Sequence, residues 1–279
     1  MLKWNMIVDV EKCMNCHNCF LATKDEYVGN DFPGYSAPQP LHGHKWLHLV
    51  QHQRGQAPMV ESHSMPVMCN QCANAPCIKA ARDGAVYERP DGIVVIDPVK
   101  AKGQKQIVQS CPYGAIDWNE ELQLPQKWCF DAHLLDDGWT RTRAEQACPT
   151  GALRSIRVAD DEMRAIATRD GLEGLRPELG TRPRVHYRNL QLMRSVFVGG
   201  TVVSRADGLE DCFAGVTARL SKNGAVVAET TTDTFGEFKF DRLERGSGAH
   251  DLELDAGGAR RSRHPIVVDD SRYLGIFAL

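Results

Sequence analysis

Two groups of three closely spaced cysteines constrain the fold of this chain more than any other feature. The first group is Cys13-Met-Asn-Cys16-His-Asn-Cys19, and the second is Cys69-Asn-Gln-Cys72-Ala-Asn-Ala-Pro-Cys77. Three thiols at such spacings meet at one point only if the backbone wraps tightly around it, as it does around an iron–sulfur cube. Each group needs a distant fourth ligand, because Thr23 and Ala81 occupy the positions where a local one would stand.

Two isolated cysteines, each followed by a proline, are as many as the fourth ligands that the two triplets lack. Cys111-Pro-Tyr-Gly and Cys148-Pro-Thr-Gly have the form of the closing cysteine of a ferredoxin run, although no triplet precedes either of them. Two triplets and two closing cysteines together match two cubes, each with three ligands plus one. Counting alone does not say which closing cysteine completes which triplet.

Zinc binding and a disulfide framework are the alternatives for such short spacings. Tetrahedral zinc sites usually combine two pairs of closely spaced ligands, whereas this chain repeats groups of three cysteines. The N-terminal residues MLKWNMIVDVEKC contain neither an apolar signal region nor a twin-arginine pair, so we expect a cytoplasmic chain with metal-bound cysteines. An insertion over residues 25–63 matches no zinc signature, and we predict that it is a polar surface segment. Its histidines are His42, His44, His48, His52 and His63.

The composition excludes several classes of function. The net charge is −3 and the basic residues are scattered, so we expect no nucleic-acid partner, and no stretch approaches 18 apolar residues, so we expect no membrane span. The 279 residues, 42% of them hydrophobic, suffice for one large or two ordinary domains. No nucleotide-binding glycine motif, Walker loop or nucleophile elbow is present, and we predict no catalytic residue.

The first part of the chain has mixed α and β patterns. Residues 1–158 are predicted to form a tandem ferredoxin-like iron–sulfur domain, in which Met6–Val10 alternates like a strand. Residues 84–96 are predicted to form a hairpin with a turn at Asp91-Gly92. Residues 159–194 are then predicted to contain a short helix, Ala159–Gly171, and an extended linker, Gly174–Asn189. The fold class is therefore α+β.

Residues 195–279 are predicted to form an all-β sandwich. Short alternating segments are separated by turns, as in such sandwiches. The predicted turns are Asp207-Gly208, Asn223-Gly224, Phe235-Gly236 and Gly257-Gly258. Cys212 stands alone here, and we expect it to be a small buried apolar residue.

With these motifs in place, the chain resembles the four-cluster iron–sulfur subunits of the dimethyl sulfoxide reductase family of molybdenum enzymes. Within that family the whole chain resembles the small subunits of pyrogallol–phloroglucinol transhydroxylase and of the related resorcinol hydroxylase. The C-terminal part also resembles carboxypeptidase-regulatory-like sandwiches. The segments that carry the first resemblance are Asp31–Tyr35, Cys72–Cys77, Gly84–Tyr87, Asp97-Pro98, Cys111–Gly114, Ala132–Asp137 and Pro177–Gly180, and those that carry the second are Asp211–Val216 and Thr234–Asp241.

The resemblance implies which cysteines belong together. The first and last motifs of such subunits share one cluster, and the two middle motifs share the other. The implied [4Fe–4S] ligand sets are Cys13, Cys16, Cys19 and Cys148 for the first cluster, and Cys69, Cys72, Cys77 and Cys111 for the second. Two further cluster sites of the family lack their cysteines, so we predict a two-cluster version of a four-cluster fold.

One of the missing cluster sites has four substituted positions, which are Thr23, Trp128, Asp131 and Ala144. Cys129 falls between the positions where ligands are expected. We predict that Trp128 fills the vacated space, because a protein core tolerates few voids. A buried Asp131 needs hydrogen-bond donors, and either Thr23 or the Trp128 indole could supply one.

An iron–sulfur cluster with four protein thiolates has no open coordination position for a substrate, so one-electron transfer is the expected role. The resemblance implies that the chain serves a large catalytic subunit that holds the molybdopterin cofactor and hydroxylates or transhydroxylates phenols, as in anaerobic aromatic degradation. Two alternatives are a subunit whose clusters only stabilise the fold and a free-standing ferredoxin. A diffusible carrier has no need of the C-terminal domain, which argues against the second alternative.

Overall fold

The protein is described here by a computed structural model, which covers residues 1–206, 209–258 and 260–279. The chain divides into two compact units. The first unit contains Met1–Gln51 and His63–Leu190, and the second contains His52–Ser62 and Gln191–Leu279. In the described ranges, no helix is both long enough and apolar enough to span a bilayer.

The structure contains short helices and many strands. The helices are α1 (Asn18–Tyr27), α2 (Pro76–Ala80), α3 (Gln106–Gln109), α4 (Ala132–Asp136), α5 (Arg143–Gln146) and α6 (Asp160–Asp170). The strands of the first part are β1 (Lys3–Asp9), β2 (Leu47–Gln56), β3 (Met59–Met68), β4 (Val86–Glu88), β5 (Val94–Ile96), β6 (Asp117–Asn119), β7 (Leu124–Gln126), β8 (Leu153–Val158) and β9 (Val185–Arg188). Those of the second part are β10 (Val196–Ala206), β11 (Leu209–Cys212), β12 (Thr217–Lys222), β13 (Ala225–Thr231), β14 (Glu237–Leu243), β15 (Gly248–Asp255), β16 (Arg261–Val268) and β17 (Arg272–Ala278).

A three-stranded sheet with the order β8-β1-β9 joins distant parts of the first unit. β1 pairs antiparallel with β8 and parallel with β9. β9 lies within the segment that the sequence predicts to be an extended linker. It forms a strand because Val185 and Tyr187 are buried while the residues that alternate with them are partly exposed, which is the pattern of a strand with one buried face.

The local predictions for the rest of the first unit agree with the structure. The hairpin β4-β5 turns at Asp91-Gly92, where Gly92 has a φ of 84°. α6 ends at Asp170, and the next residue, Gly171, has the left-handed conformation that often terminates helices. The segment over residues 25–63, predicted to be polar and at the surface, enters the hairpin β2-β3 in its second half and buries Trp46 and Leu47.

The tip of the β2-β3 hairpin, His52–Ser62, groups with the second unit. Arg54 anchors it there with a side chain that is fully buried. Its guanidinium donates hydrogen bonds to Ser195 Oγ at 3.2 Å, Glu61 Oε2 at 2.6 Å and Asp241 Oδ2 at 3.0 Å. Charge-assisted hydrogen bonds to two carboxylates offset the desolvation of this arginine.

Two four-stranded sheets form most of the second unit. In one sheet β10 pairs with β11, β14 and β17, and the other has the order β13-β12-β15-β16. A single apolar core contains residues of both sheets, among them Val202 and Phe238 of the first and Leu220 and Leu252 of the second. Such shared burial stabilises each sheet on one face.

The predicted turns of the second unit fall between strands at Asn223-Gly224, Phe235-Gly236 and Gly257-Gly258, while Asp207-Gly208 lies outside the described residues.

The prediction for Cys212 is wrong, because this residue is exposed. It ends β11, an edge strand that is exposed along its whole length.

A buried hydrogen-bond network surrounds Asp131 in the first unit. The carboxylate is fully buried, and its Oδ1 accepts hydrogen bonds from the Tyr27 hydroxyl and the Trp128 indole, both at 2.7 Å. Its Oδ2 accepts the backbone N–H of Arg143 at 2.8 Å. The Trp128 indole is therefore one of the donors that the sequence analysis expects, and Tyr27 and Arg143 are additional ones.

Aromatic packing accompanies this network. The Trp128 side chain is fully buried, and its ring lies 4.9 Å from the ring of Phe130. Tyr27 lies 5.0 Å from the Trp46 ring. Thr23 is not a donor to Asp131, because its hydroxyl donates to the backbone oxygen of Cys19 one helical turn earlier.

We predict that Asp131→Asn destabilises the first unit. The carboxylate accepts three hydrogen bonds, and an amide cannot accept at both positions, so one buried N–H or O–H group is left facing another donor. Each unsatisfied buried group costs about 1–3 kcal/mol, which is the expected loss in the free energy of unfolding. Urea unfolding followed by tryptophan fluorescence measures it, since all five tryptophans belong to this unit.

The exposed Asp137 provides the control for this experiment. Asp137→Asn makes the same chemical change at the surface and should alter the free energy of unfolding by less than about 0.5 kcal/mol. Equal stability of Asp131→Asn and the wild type would contradict the role given to the carboxylate.

We also predict that Gly236→Ala disrupts the turn between β13 and β14. Gly236 has a φ of 74°, and a Cβ atom there would collide with the backbone oxygen of Val202. Gly224 has a φ of 81°, but a Cβ atom there meets nothing within 4 Å. Gly236→Ala should therefore cost about 3 kcal/mol or more, whereas Gly224→Ala carries only the left-handed conformational penalty of about 1–2 kcal/mol. Hydrogen exchange of β10 and β14 measures the difference, and equal loss of protection in the two variants would refute the collision.

Candidate metal centres

The first set of cysteines gathers where β1 ends and β8 begins. Cys13 follows β1 in the chain and Cys148 precedes β8, and the antiparallel pairing of these strands brings their two ends together. The Asp9 backbone N–H donates to the Ala152 oxygen at 2.8 Å across this junction. Burial raises the pKa of the Cys13 thiol, and the nearby Cys148 charge raises it further.

A tight loop then carries the remaining thiols of this set. Asn15 and His17 have left-handed backbone conformations, with φ of 59° and 61°, which curl the loop before α1 begins. Cys19 lies in the first turn of α1, and burial raises the pKa of its thiol to about 12, with contributions from the charges of three other cysteines. The structure thus brings together Cys13, Cys16, Cys19 and Cys148.

Cys148 differs from its neighbours because its surroundings favour the thiolate. Burial would raise its pKa, but the backbone N–H groups of Leu153, Ala152 and Thr150 and the Thr150 hydroxyl interact with the sulfur and lower the pKa below its usual value. Hydrogen bonds to a charged sulfur stabilise the charged form. This turn is therefore suited to an anionic metal ligand.

The second set lines one cavity. Cys69 follows β3, Cys77 lies in α2 and Cys111 follows α3. The structure brings together Cys69, Cys72, Cys77 and Cys111 around this cavity, together with Lys127 and apolar side chains. Burial raises the pKa of Cys72 to about 12 and that of Cys77 to about 11, and other thiolates of the set contribute to both shifts.

Backbone and side-chain amides fix the two loops of the second set. The Ala73 and Asn74 N–H groups each donate at 3.0 Å to backbone oxygens of residues 181–182. The Ala115 N–H points at the Cys111 sulfur at 3.4 Å. Gln71 accepts the Val94 N–H at 2.8 Å and donates to the Trp128 oxygen at 3.0 Å. The contacts of Gln71, Ala73 and Asn74 hold the first of these loops in place without using a thiol, whereas the Ala115 N–H contacts a sulfur directly.

Sequence analysis missed Gln71 and Lys127. Lys127 is buried and lines the second cavity, where its charge opposes the burial effect on the pKa of Cys77. Lysine is almost never fully buried without a partner, so a lysine in a single sequence is expected at the surface. The position of Lys127 before Trp128 therefore does not indicate that it is buried at a cluster site. Gln71 carries a weak signal only, as a residue inside a cysteine loop.

The two sets fit an iron–sulfur cluster. In the part of the chain that the structure describes, no three His, Cys, Asp or Glu side chains are arranged around a single metal ion. A [4Fe–4S] cube binds its four thiolates on four separate irons, so its ligands stand farther apart than those of one ion. The raised thiol pKa values are compatible with cluster binding, because bound metal supplies the positive charge that deprotonates a coordinating thiol.

Cys129, Cys212 and two of the insertion histidines have surroundings other than the thiols of these sets. Cys129 is buried, with its sulfur 3.2 Å from the Tyr27 hydroxyl. Cys212 is exposed on an edge strand of the second unit. Of the insertion histidines, His44 is bonded to the Trp118 backbone oxygen at 3.1 Å and His48 to that of Lys45 at 3.3 Å.

Comparison with known proteins places this arrangement in a family. Residues 60–157 match the 4Fe-4S dicluster domain family. The chain is 39% identical over 282 residues to the pyrogallol hydroxytransferase small subunit of Pelobacter acidigallici, with 100% of both chains covered. It is 33% identical to a tetrathionate reductase subunit of Salmonella typhimurium, over 67% of this chain and 73% of that protein. It is 30% identical to a sulfite dehydrogenase subunit of Allochromatium vinosum, over 65% of this chain and 81% of that protein.

The similarity at 39% identity extends from one end of the chain to the other, across both units, and the domain match covers five of the eight thiols of the two sets. This chain belongs to the family of iron–sulfur oxidoreductase subunits that includes the pyrogallol hydroxytransferase small subunit.

Proposed function

We propose that this chain carries two [4Fe–4S] clusters and transfers electrons for a molybdopterin-dependent catalytic subunit that hydroxylates or transhydroxylates phenolic compounds. The observation that carries the proposal is the presence of two separate groups of four thiols, each built from one triplet and one Cys-Pro cysteine. The proposed ligands are Cys13, Cys16, Cys19 and Cys148 for the first cluster, and Cys69, Cys72, Cys77 and Cys111 for the second.

The chemistry of the site residues supports electron transfer rather than catalysis. A bound cluster with four thiolate ligands would take up or release one electron and offer no free position to a substrate. The protein residues hold the thiolates, exclude water from the second set through buried side chains, and direct backbone N–H groups at the Cys111 and Cys148 sulfurs. Such hydrogen bonds and burial adjust a cluster's reduction potential.

The relatives support a partner protein. Each of the three is named as one subunit of a larger enzyme, and the full-length relative is named for pyrogallol hydroxytransfer. We extend the phenolic substrate class to the partner of this chain on the basis of that full-length similarity. The molybdopterin cofactor, proposed for the partner only, comes from the resemblance to the dimethyl sulfoxide reductase family.

We further propose the domain organisation expected from the sequence. It consists of a tandem ferredoxin-like domain over residues 1–158, a helix and linker over residues 159–194, and a carboxypeptidase-regulatory-like β-sandwich over residues 195–279. The linker contains strand β9, which pairs with β1 in the first unit. The two sheets with one common core support the sandwich. The cytoplasmic location stays a prediction from the sequence.

We predict an iron content of about eight irons and eight sulfides per chain in anaerobically purified protein. Cys111→Ser and Cys148→Ser should each lose about half of the iron, because each variant removes the closing ligand of one set. Iron and sulfide analysis with electron paramagnetic resonance measures this.

Cys129→Ser and Cys212→Ser are the matched controls, since neither thiol belongs to a set. Both should keep the full iron content in the folded protein. Loss of half of the iron in either control would refute the ligand assignment.

We predict that the chain purifies from its native host as a complex with a large subunit that contains molybdopterin. Hydroxylation of a phenol with an oxygen atom from water releases electrons, whereas hydroxyl transfer between two phenols releases none overall. Addition of a phenolic substrate under conditions of net hydroxylation should therefore reduce the clusters. Metal analysis, cofactor extraction and substrate-dependent bleaching of the cluster absorbance test these outcomes. Clusters that remain oxidised during net hydroxylation of the substrate would favour a purely structural role, and a monomer without co-eluting molybdenum would refute the proposed partner.

A further inference from the structure

Lys127 is a buried cation at the second set of thiols. Its side chain lines the same cavity as Cys69, Cys72, Cys77 and Cys111. The ammonium donates hydrogen bonds to the backbone oxygens of Val94 and Trp128. An ammonium has three N–H donors, so one donor remains after these two contacts. Within residues 1–206, 209–258 and 260–279, no carboxylate forms an ion pair with it.

A buried ammonium without a carboxylate partner needs another source of negative charge. Moving an ion out of water is costly, and two backbone carbonyl groups compensate this cost only in part. With a cluster bound, the cysteines of the second set would be thiolates, and these are the anionic groups that the same cavity would offer. Their proximity is also evident in the effect of the Lys127 charge, which lowers the pKa of both Cys77 and Cys111 against the larger opposing effect of burial.

We infer that Lys127 raises the reduction potential of the second cluster. The inference rests on the proposed function, since it requires a cluster at this site. One-electron reduction adds one negative charge to the four-thiolate site and forms or breaks no bond. A fixed cation nearby attracts this additional charge, so it stabilises the reduced state more than the oxidised state.

The backbone contacts keep the cation in place during reduction. Val94 and Trp128, whose oxygens accept from Lys127, are also the two residues to which the Gln71 side chain is hydrogen-bonded. Gln71 lies within the loop between Cys69 and Cys72. The cation and the cysteine loop are thus attached to the same two residues, so the distance between charge and cluster is held by a shared support.

The test compares Lys127→Met with Lys127→Arg in the anaerobically purified complex. Dithionite supplies the electrons in a mediated redox titration followed by electron paramagnetic resonance. The signal that disappears in Cys111→Ser identifies the second cluster. At the midpoint reduction potential of the wild type, the ratio of oxidised to reduced second cluster should be about tenfold higher in Lys127→Met. This ratio corresponds to a midpoint potential that is lower by about 59 mV for a one-electron couple. Lys127→Arg keeps the charge and should shift the ratio less.

Lys24→Met is the matched control. Lys24 also donates to two backbone oxygens, those of Pro40 and Leu41, at 3.0 and 3.3 Å. Its replacement removes the same charge and the same number of hydrogen bonds away from the second cavity. In Lys24→Met, the ratio of oxidised to reduced second cluster should stay within about twofold of the wild type. This change is smaller than the one expected for Lys127→Met, because solvent screens a more distant charge.

The outcomes separate this inference from the proposed function. A wild-type protein with only one cluster would refute the proposed function. Full iron content in Lys127→Met with an unchanged second-cluster potential would refute the role of Lys127 and leave the two-cluster proposal intact. An equal shift in Lys24→Met would also refute it. If Lys127→Met fails to fold, Lys127→Gln keeps a hydrogen-bond donor without the charge, and an unchanged potential in that variant refutes the inference as well.

Discussion

The mutual repulsion of thiolates is the constraint on which the first unit depends. Four thiolates around one centre repel one another, and burial adds a desolvation cost, so the backbone has to hold them together. The raised pKa values of Cys19 and Cys72 express both effects. Strand pairing holds the first set, since Cys13 and Cys148 flank the β1–β8 junction, while side-chain amides and Lys127 support the second.

Backbone N–H groups reach a sulfur in both sets, at Cys111 and at Cys148, but the second set also has a buried cation beside it. At Cys148, several backbone N–H groups converge on one sulfur and lower its pKa. In the second set, a full positive charge from Lys127 stands beside the thiols. Oriented amide groups and a fixed cation both stabilise negative charge, but the cation acts over a longer distance. Two cysteine groups of similar sequence therefore lie in electrostatically different environments.

Local signals in the sequence were sufficient for several elements, and long-range pairing was not. The Asp91-Gly92 turn and the Gly171 helix end follow from residue preferences, and the structure agrees with both. β9 could not be predicted, because its four residues become a strand only through pairing with β1 at the other end of the unit. Cys212 was misjudged because residue type indicates average burial and not whether a strand lies at the edge of a sheet. The number of thiols in each set followed from counting, whereas the buried Lys127 required three-dimensional contacts.

The arrangement of the first set has a consequence for the order of synthesis. A ribosome makes the chain from its N-terminus, so the second set has all its cysteines once Cys111 has emerged. The first set begins earlier, with Cys13, but waits for Cys148 and for β8 to pair with β1. During that interval three thiols of the nascent chain have no fourth partner and remain open to oxidants or stray metal ions. A late-made part of the first unit therefore protects the first-made part.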